Sequence, residues 1–197
     1  MTLRDRVLDE LATVYDPELD EPITALGFVG ACEVTEEGDV SVRLRLPTPQ
    51  CAPNFAFLMA ADTARAVWRV EGVSSVDVRL VDHYTGEEIN AAVNRGGDFA
   101  DAFPGETEGS LDALRALFQR KALLARQSRL LSDARTLGEL RGPDADRCRE
   151  LRRALGIDAS DDAPAFVTGD GTPVSASDAR FRRMASLTAL SLETNGA

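Results

Sequence analysis

Between residues 40 and 80 the chain reads strand, helix, strand, and that order leaves few folds open. Val40, Val42, Leu44 and Leu46 alternate with Ser41, Arg43 and Arg45, the period-two pattern of a strand with one buried face. Pro47 and Pro49 end that strand. From Asn54, read as an N-cap, Phe55, Leu58, Met59, Ala66, Val67 and Val70 recur at helical spacing until Gly72. Val76, Val78 and Leu80 then alternate with Asp77 and Arg79 as a third strand. A strand, a helix and a strand in so short a stretch form a crossover unit, so the two strands are expected to be parallel and the connection right-handed.

The flanking patterns extend this unit. Leu3, Val7, Leu8, Leu11 and Val14 mark a first helix, stopped by Pro17. The apolar run Phe28 to Val34 precedes the turn-rich Thr35 to Asp39, which predicts a hairpin with the strand that follows. The expected fold class is therefore α/β, of the α+β kind: a small mixed sheet of three or more strands flanked by helices, then a mainly helical C-terminal region. In that region Ser110 is read as the cap of a helix carrying Leu111, Leu114, Leu117, Phe118, Leu124, Leu130 and Leu131. A second helix is predicted from Pro143 to Leu155, closed by Gly156, and a last one from about Ser177 to Leu192. A small hairpin near 165–174 turns on Asp170-Gly171.

Charge marks the boundary between the two regions. Residues 1–109 carry 21 acidic and 8 basic side chains, residues 110–153 carry 6 and 11, and residues 154–197 carry 6 and 3. The shift follows a glycine- and acid-rich stretch, which suggests an α/β domain over 1–92, a linker over 93–109 and a helical extension over 110–197. The formal net charge of -11 argues against a nucleic-acid partner. The opening MTLRDRVLDE lacks the apolar core of a signal peptide, and no window reaches about 18 uninterrupted apolar residues. The expectation is a cytoplasmic protein without a membrane span.

Three cysteines, Cys32, Cys51 and Cys148, lie far apart, which fits a reducing compartment rather than a disulfide framework. With His83 the single histidine, a closed structural zinc site within one chain is nearly excluded. His83 itself, beside Asp82 and Tyr84, is read as a surface or turn residue rather than a base. No GxSxG, HExxH or Walker motif occurs, so the chain is not read as an enzyme; a thiol catalyst built on Cys51 would lack a base placed near it.

Two segments are candidates for chemistry. Leu46-Pro47-Thr48-Pro49-Gln50-Cys51-Ala52-Pro53-Asn54 joins the C-terminal end of a strand to the N-terminus of a helix. Ligands bind at that junction in sheets with parallel strands, and the helix end favours a thiolate. A cysteine is more often a small buried hydrophobe, the reading given to Cys32 and Cys148. The prolines and polar neighbours around Cys51 reverse it there. Asp16-Pro17-Glu18 is the second segment. Acidic loops are usually solvated, but the proline stiffens this pair and rigid carboxylates suit iron or hard metals.

VYDPELDEPITALGF, RLRLPTPQCAP and VEGVSSVDVRL together resemble the small iron-sulfur cluster assembly family of the SufT, PaaD and MIP-eighteen type, over roughly residues 3–82. The resemblance implies one site lined by Asp16, Glu18, Thr48 and Cys51, with Cys51 as the metal ligand and Asp16 and Glu18 as optional ones. Its cofactor would be iron or an iron-sulfur cluster, transient and absent after purification. Two departures stand out: Pro47 precedes Thr48 where the family often has a second threonine, and Ala52 separates Cys51 from Pro53. The long extension resembles accessory proteins of soluble di-iron monooxygenase systems. The function implied is a non-catalytic maturation factor that helps insert iron or a cluster into a client metalloprotein, with a homodimer left open. The alternative is a client-specific adaptor or chaperone without metal chemistry. The basic extension has two readings: a docking surface for a protein partner, or arginines that pair with the chain's own acidic first module.

Overall fold

The computed structural model describes residues 1–105 and 110–195. By contacts the chain forms two compact units, Met1–Pro17 with Glu21–Leu111, and Glu18–Asp20 with Asp112–Ala197. The first holds helix α1 (Leu3–Leu11), strands β1 (Val29–Val34) and β2 (Asp39–Arg45), helix α2 (Pro53–Trp68), strand β3 (Ser75–Val81) and helices α3 (Gly86–Asn94) and α4 (Phe99–Ala102). The second holds helices α5 (Asp112–Arg129), α6 (Pro143–Ala154) and α7 (Ala179–Asn195), with one 3-10 turn at Leu137–Glu139.

The sheet is mixed, in the order β1-β2-β3. β1 and β2 pair antiparallel with Cys32 opposite Val42, and β2 and β3 pair parallel from Asp39 opposite Ser75 to Arg45 opposite Val81. Alternation along β2 does what the sequence pattern requires: Val40, Val42, Leu44 and Leu46 are buried while Arg43 and Arg45 are exposed. Each such side chain contributes about 1.5–3 kcal/mol on leaving water. They pack with Val7 and Leu11 of α1 and with Ala56, Met59, Ala60 and Val67 of α2 in one core. At the hairpin turn Gly38 has φ +89°, and a Cβ there would lie 2.3 Å from the Gly72 carbonyl oxygen. Only glycine allows both the turn and that approach.

Helix α3 was not foreseen in the sequence pattern, and it covers the open edge of β3. The Asn90 side chain accepts from Leu80 N–H at 2.7 Å and donates to Leu80 C=O at 3.1 Å. Asn94 does the same for Val78, at 2.8 and 2.9 Å. Four residues along a helix advance about 6 Å, close to the rise of two along a strand, so two amides one turn apart match alternate strand residues. They occupy backbone groups that an added strand would otherwise take.

The stretch 93–105, read from sequence as linker, is instead part of this core, where Val93, Phe99, Ala102 and Phe103 are buried. Phe57 and Phe99 meet edge to face at 5.5 Å. Its glycines and acids have local structural work: Gly96 takes φ +74° after α3, and Asp98 and Asp101 form a reciprocal capping box for α4. Residues 106–109 of the expected linker lie outside the described residues. A smaller correction concerns α2, whose N-cap is Ala52 with Pro53 in the first turn; Asn54 Oδ1 accepts from its neighbour Phe55 N–H at 2.9 Å rather than capping the helix.

In the second unit Leu123, Cys148, Leu151 and Val167 form one cluster and Leu137, Ala145, Phe166 and Phe181 another. The small hairpin expected at 165–174 is present: Val167 and Pro173 form an antiparallel bridge, Thr168 N–H donates to Thr172 C=O at 2.9 Å and Val174 N–H to Phe166 C=O at 3.0 Å. Pro173 fits here because it occupies a non-hydrogen-bonded pair, whose N–H the hairpin does not use. The buried Gln127 covers the outer edge of this hairpin, donating to Val167 C=O at 2.9 Å and accepting from its N–H at 2.8 Å. Buried Asp20 accepts from Arg126 at 2.8 Å and Arg147 at 2.6 Å, and Arg126 also reaches Asp144 at 2.9 Å. Among the described residues no helix is long and apolar enough to cross a membrane.

Candidate functional site

Parallel pairing of β2 with β3, in register through Arg45 and Val81, brings the segments that follow both strands to one sheet edge. After β2, Pro47 cannot extend the ladder and the chain turns. Thr48 Oγ1 accepts from Gln50 N–H at 3.1 Å and Thr48 C=O accepts from Cys51 N–H at 3.3 Å. Thr48 and Cys51 thus share one turn, with Thr48 exposed and Cys51 half-buried against the core. Pro53 then begins α2, whose N-terminal partial charge favours an anion beside it.

After β3, Asp82 takes φ +56° and reverses the chain. Two bonds tie the segments together: Tyr84 N–H donates to Pro49 C=O at 3.1 Å, and His83 Nε2 lies 2.9 Å from Cys51 C=O. The second nitrogen fixes the tautomer. Thr85 N–H can only donate, and it points to His83 Nδ1 at 3.3 Å, so Nδ1 is the acceptor and Nε2 carries the proton it gives to the Cys51 carbonyl. His83 is a staple for the Cys51 turn, with both ring nitrogens engaged. Sequence reading left it as a turn residue, although its position just past a strand parallel to β2 was a usable signal.

The other two cysteines are packing residues. Cys32 lies on the core face of β1 and burial raises its thiol pKa; Cys148 is fully buried on α6 and pushed up to about 12 for the same reason. Neither supplies thiolate near neutral pH.

The acidic motif lies in a closed loop. Tyr15 and Pro22 form an antiparallel bridge, Asp16 N–H donates to Glu21 C=O at 2.9 Å and Ile23 N–H to Val14 C=O at 2.9 Å. Asp16 is buried and belongs to the first unit, whereas Glu18, at the loop tip, groups with the second. Among the described residues no three His, Cys, Asp or Glu side chains converge into a metal-binding set. What the arrangement offers is a single half-buried thiol on a stapled turn.

A family described as an iron-sulfur cluster assembly protein matches residues 4–78. The uncharacterized protein MJ1129 of Methanocaldococcus jannaschii is 34% identical over 90 residues, which is 46% of this chain and 93% of that protein. No solved structure matches the chain. The family match lies in the N-terminal part of the chain, which includes the Cys51 turn.

Proposed function

The chain belongs, through its first unit, to the iron-sulfur cluster assembly family, and on that premise we propose that it passes iron or iron-sulfur cargo to a client metalloprotein with Cys51 as its thiolate donor. The family membership carries a general role in cluster assembly. The observation that carries the finer reading is the Cys51 turn, half-buried, next to the start of α2 and held by His83 and Tyr84. The N-terminus of α2 beside this turn favours negative charge, and Thr48 on the same turn is exposed, which leaves the turn within reach of a second protein.

The cargo is a substrate here, and the donor set explains why it would not stay. One thiolate is too few for a four-cysteine cluster, and no three-ligand set completes it among the described residues. The remaining ligands then come from the client or from a second copy of the chain, with Asp16, Glu18 and Thr48 as the supporting residues that the family resemblance suggests. Binding shared in this way is labile, as transfer demands. Because both nitrogens of His83 hold backbone, no general base is left on that ring for the thiol, which supports a carrier rather than an enzyme. We place the protein in the cytoplasm, and its long extension makes a soluble di-iron monooxygenase system the first client class to try.

The test is maturation of the client in cells carrying the Cys51→Ser or the Cys32→Ser chain. Cys51→Ser should abolish client activation with the chain still folded and abundant, since a loop thiol adds little to the core. Cys32→Ser should lower abundance and leave activity per folded molecule intact. Full client activation by Cys51→Ser would sink the donor role and favour an adaptor without metal chemistry.

A further inference from the structure

We infer that the groove between α5 and α7 of the second unit is the docking site for an acidic amphipathic helix of a partner protein. The groove has a volume of about 580 Å³, and its wall includes Phe118 and Lys121 of α5 and Arg180, Arg183, Met184 and Leu187 of α7. Glu18 is the one carboxylate on it. Its size suits an inserted apolar face.

Three observations give the occupant its chemistry. The first is apolar exposure. Of the seven large hydrophobic side chains exposed among the described residues, four are on these two helices: Leu117, Met184, Leu187 and Leu190. Two of them, Met184 and Leu187, line the groove itself, and apolar exposure gathered on adjacent helices marks an interaction surface. The second is cationic charge without partners. Arg126, Arg129, Arg147 and Arg149 of the same unit are each ion-paired. Among the described residues Arg180, Arg182 and Arg183 pair with no carboxylate, and Lys121 rests over the Phe118 ring at 4.7 Å. The third is their place on the helix. They fall in the opening turns of α7, which contain no acidic residue. The helix dipole opposes cations there, so these arginines are not set for the helix's own stability.

The spacing orders the groove. Arg180 and Arg183 come first, then Met184, Leu187, Thr188, Ser191 and Leu192 on the same face. One end is cationic, and the rest of the face is uncharged, with Met184, Leu187 and Leu192 around the small hydroxyl residues Thr188 and Ser191. The matching ligand is a helix with an apolar stripe and carboxylates gathered toward one end, laid into the groove as amphipathic helices are. A concave wall suits a convex helix better than a flat bilayer, and the chain's net charge of -11 opposes an anionic membrane.

The experiment titrates the full chain with a fluorescent synthetic peptide of about 18 residues, roughly the length of α7. It carries leucines at helical spacing and glutamates on its first two turns. The comparisons are a scrambled peptide of the same composition, a lysine-for-glutamate peptide, and anionic vesicles. Saturable binding of the acidic amphipathic peptide alone is expected, weakening with salt and falling about tenfold in R180E/R183E. Leu187→Asp should weaken it too, while Cys51→Ser should leave it unchanged, which keeps this result separate from the cargo role. The inference is overturned by equal binding of the scrambled peptide, by no saturation up to about 1 mM, by indifference to R180E/R183E, or by binding of vesicles in place of peptide.

Discussion

Two thiols of this chain are sealed and one is half-buried, and burial alone separates them. Cys148 has its thiol pushed up to about 12 from an ordinary 9.0 by desolvation. Below about pH 9 folded and unfolded chains both keep that proton and it contributes no pH dependence. As pH rises from about 9 toward 12 the unfolded chain releases the proton first, so stability falls, by on the order of 2 kcal/mol at about pH 10.5. Urea unfolding at pH 8 and 10.5 should therefore show a steeper alkaline loss in the native chain than in Cys148→Ala; equal slopes would mean that the thiol titrates normally. Sequence reading separated Cys51 from Cys32 and Cys148 because prolines and polar residues surround it, while the other two sit in apolar patterns. It could not show what His83 does, since the staple depends on an orientation across two loops 32 residues apart.

Periodic elements were legible and their closures were not. Alternation gave β2 and β3, and helical spacing gave α1, α2 and α5 to α7, because each buries one face at a regular interval. Helix α3 is harder to read, although Ile89, Ala92 and Val93 stand at helical spacing behind Glu87 and Glu88. The asparagines that make it useful look like turn formers in sequence. Their pairing with the edge of β3 leads to a prediction. Asn90→Ala leaves the Leu80 backbone groups without partners and should cost about 1–3 kcal/mol by chemical denaturation. It should also raise self-association, as the uncovered edge accepts another strand. A variant as stable and monomeric as the parent would show that the asparagine ladder is incidental. The stretch 93–105 teaches a related lesson: glycine and acid-rich composition there serves a helix cap and a turn, and Phe99 and Phe103 were the residues that should have argued against a linker.

For the molecule as a whole, the sign of charge and the donor set point outward. An acidic first region and a basic stretch over 110–153 were readable as numbers. Many of those arginines turn out to be spent inside the second unit, on Asp20, Asp144, Asp146 and Glu150. The arginines that pair with no carboxylate among the described residues include Arg180, Arg182 and Arg183 of α7, outside that stretch, which composition could not reveal. The cargo site is likewise incomplete within the described residues, and so an acceptor that completes it is built into the account. The central claim is that Cys51 ligates iron-sulfur cargo. The direct measurement is anaerobic reconstitution of the full chain with ferric and ferrous iron and sulfide, following sulfide-to-iron charge-transfer absorption in solution, against a protein-free blank, without a separation step that would strip labile cargo. The native chain, Cys32→Ser and Cys148→Ser should each develop that absorption per folded molecule, and Cys51→Ser should not. Equal absorption from Cys51→Ser would contradict the account.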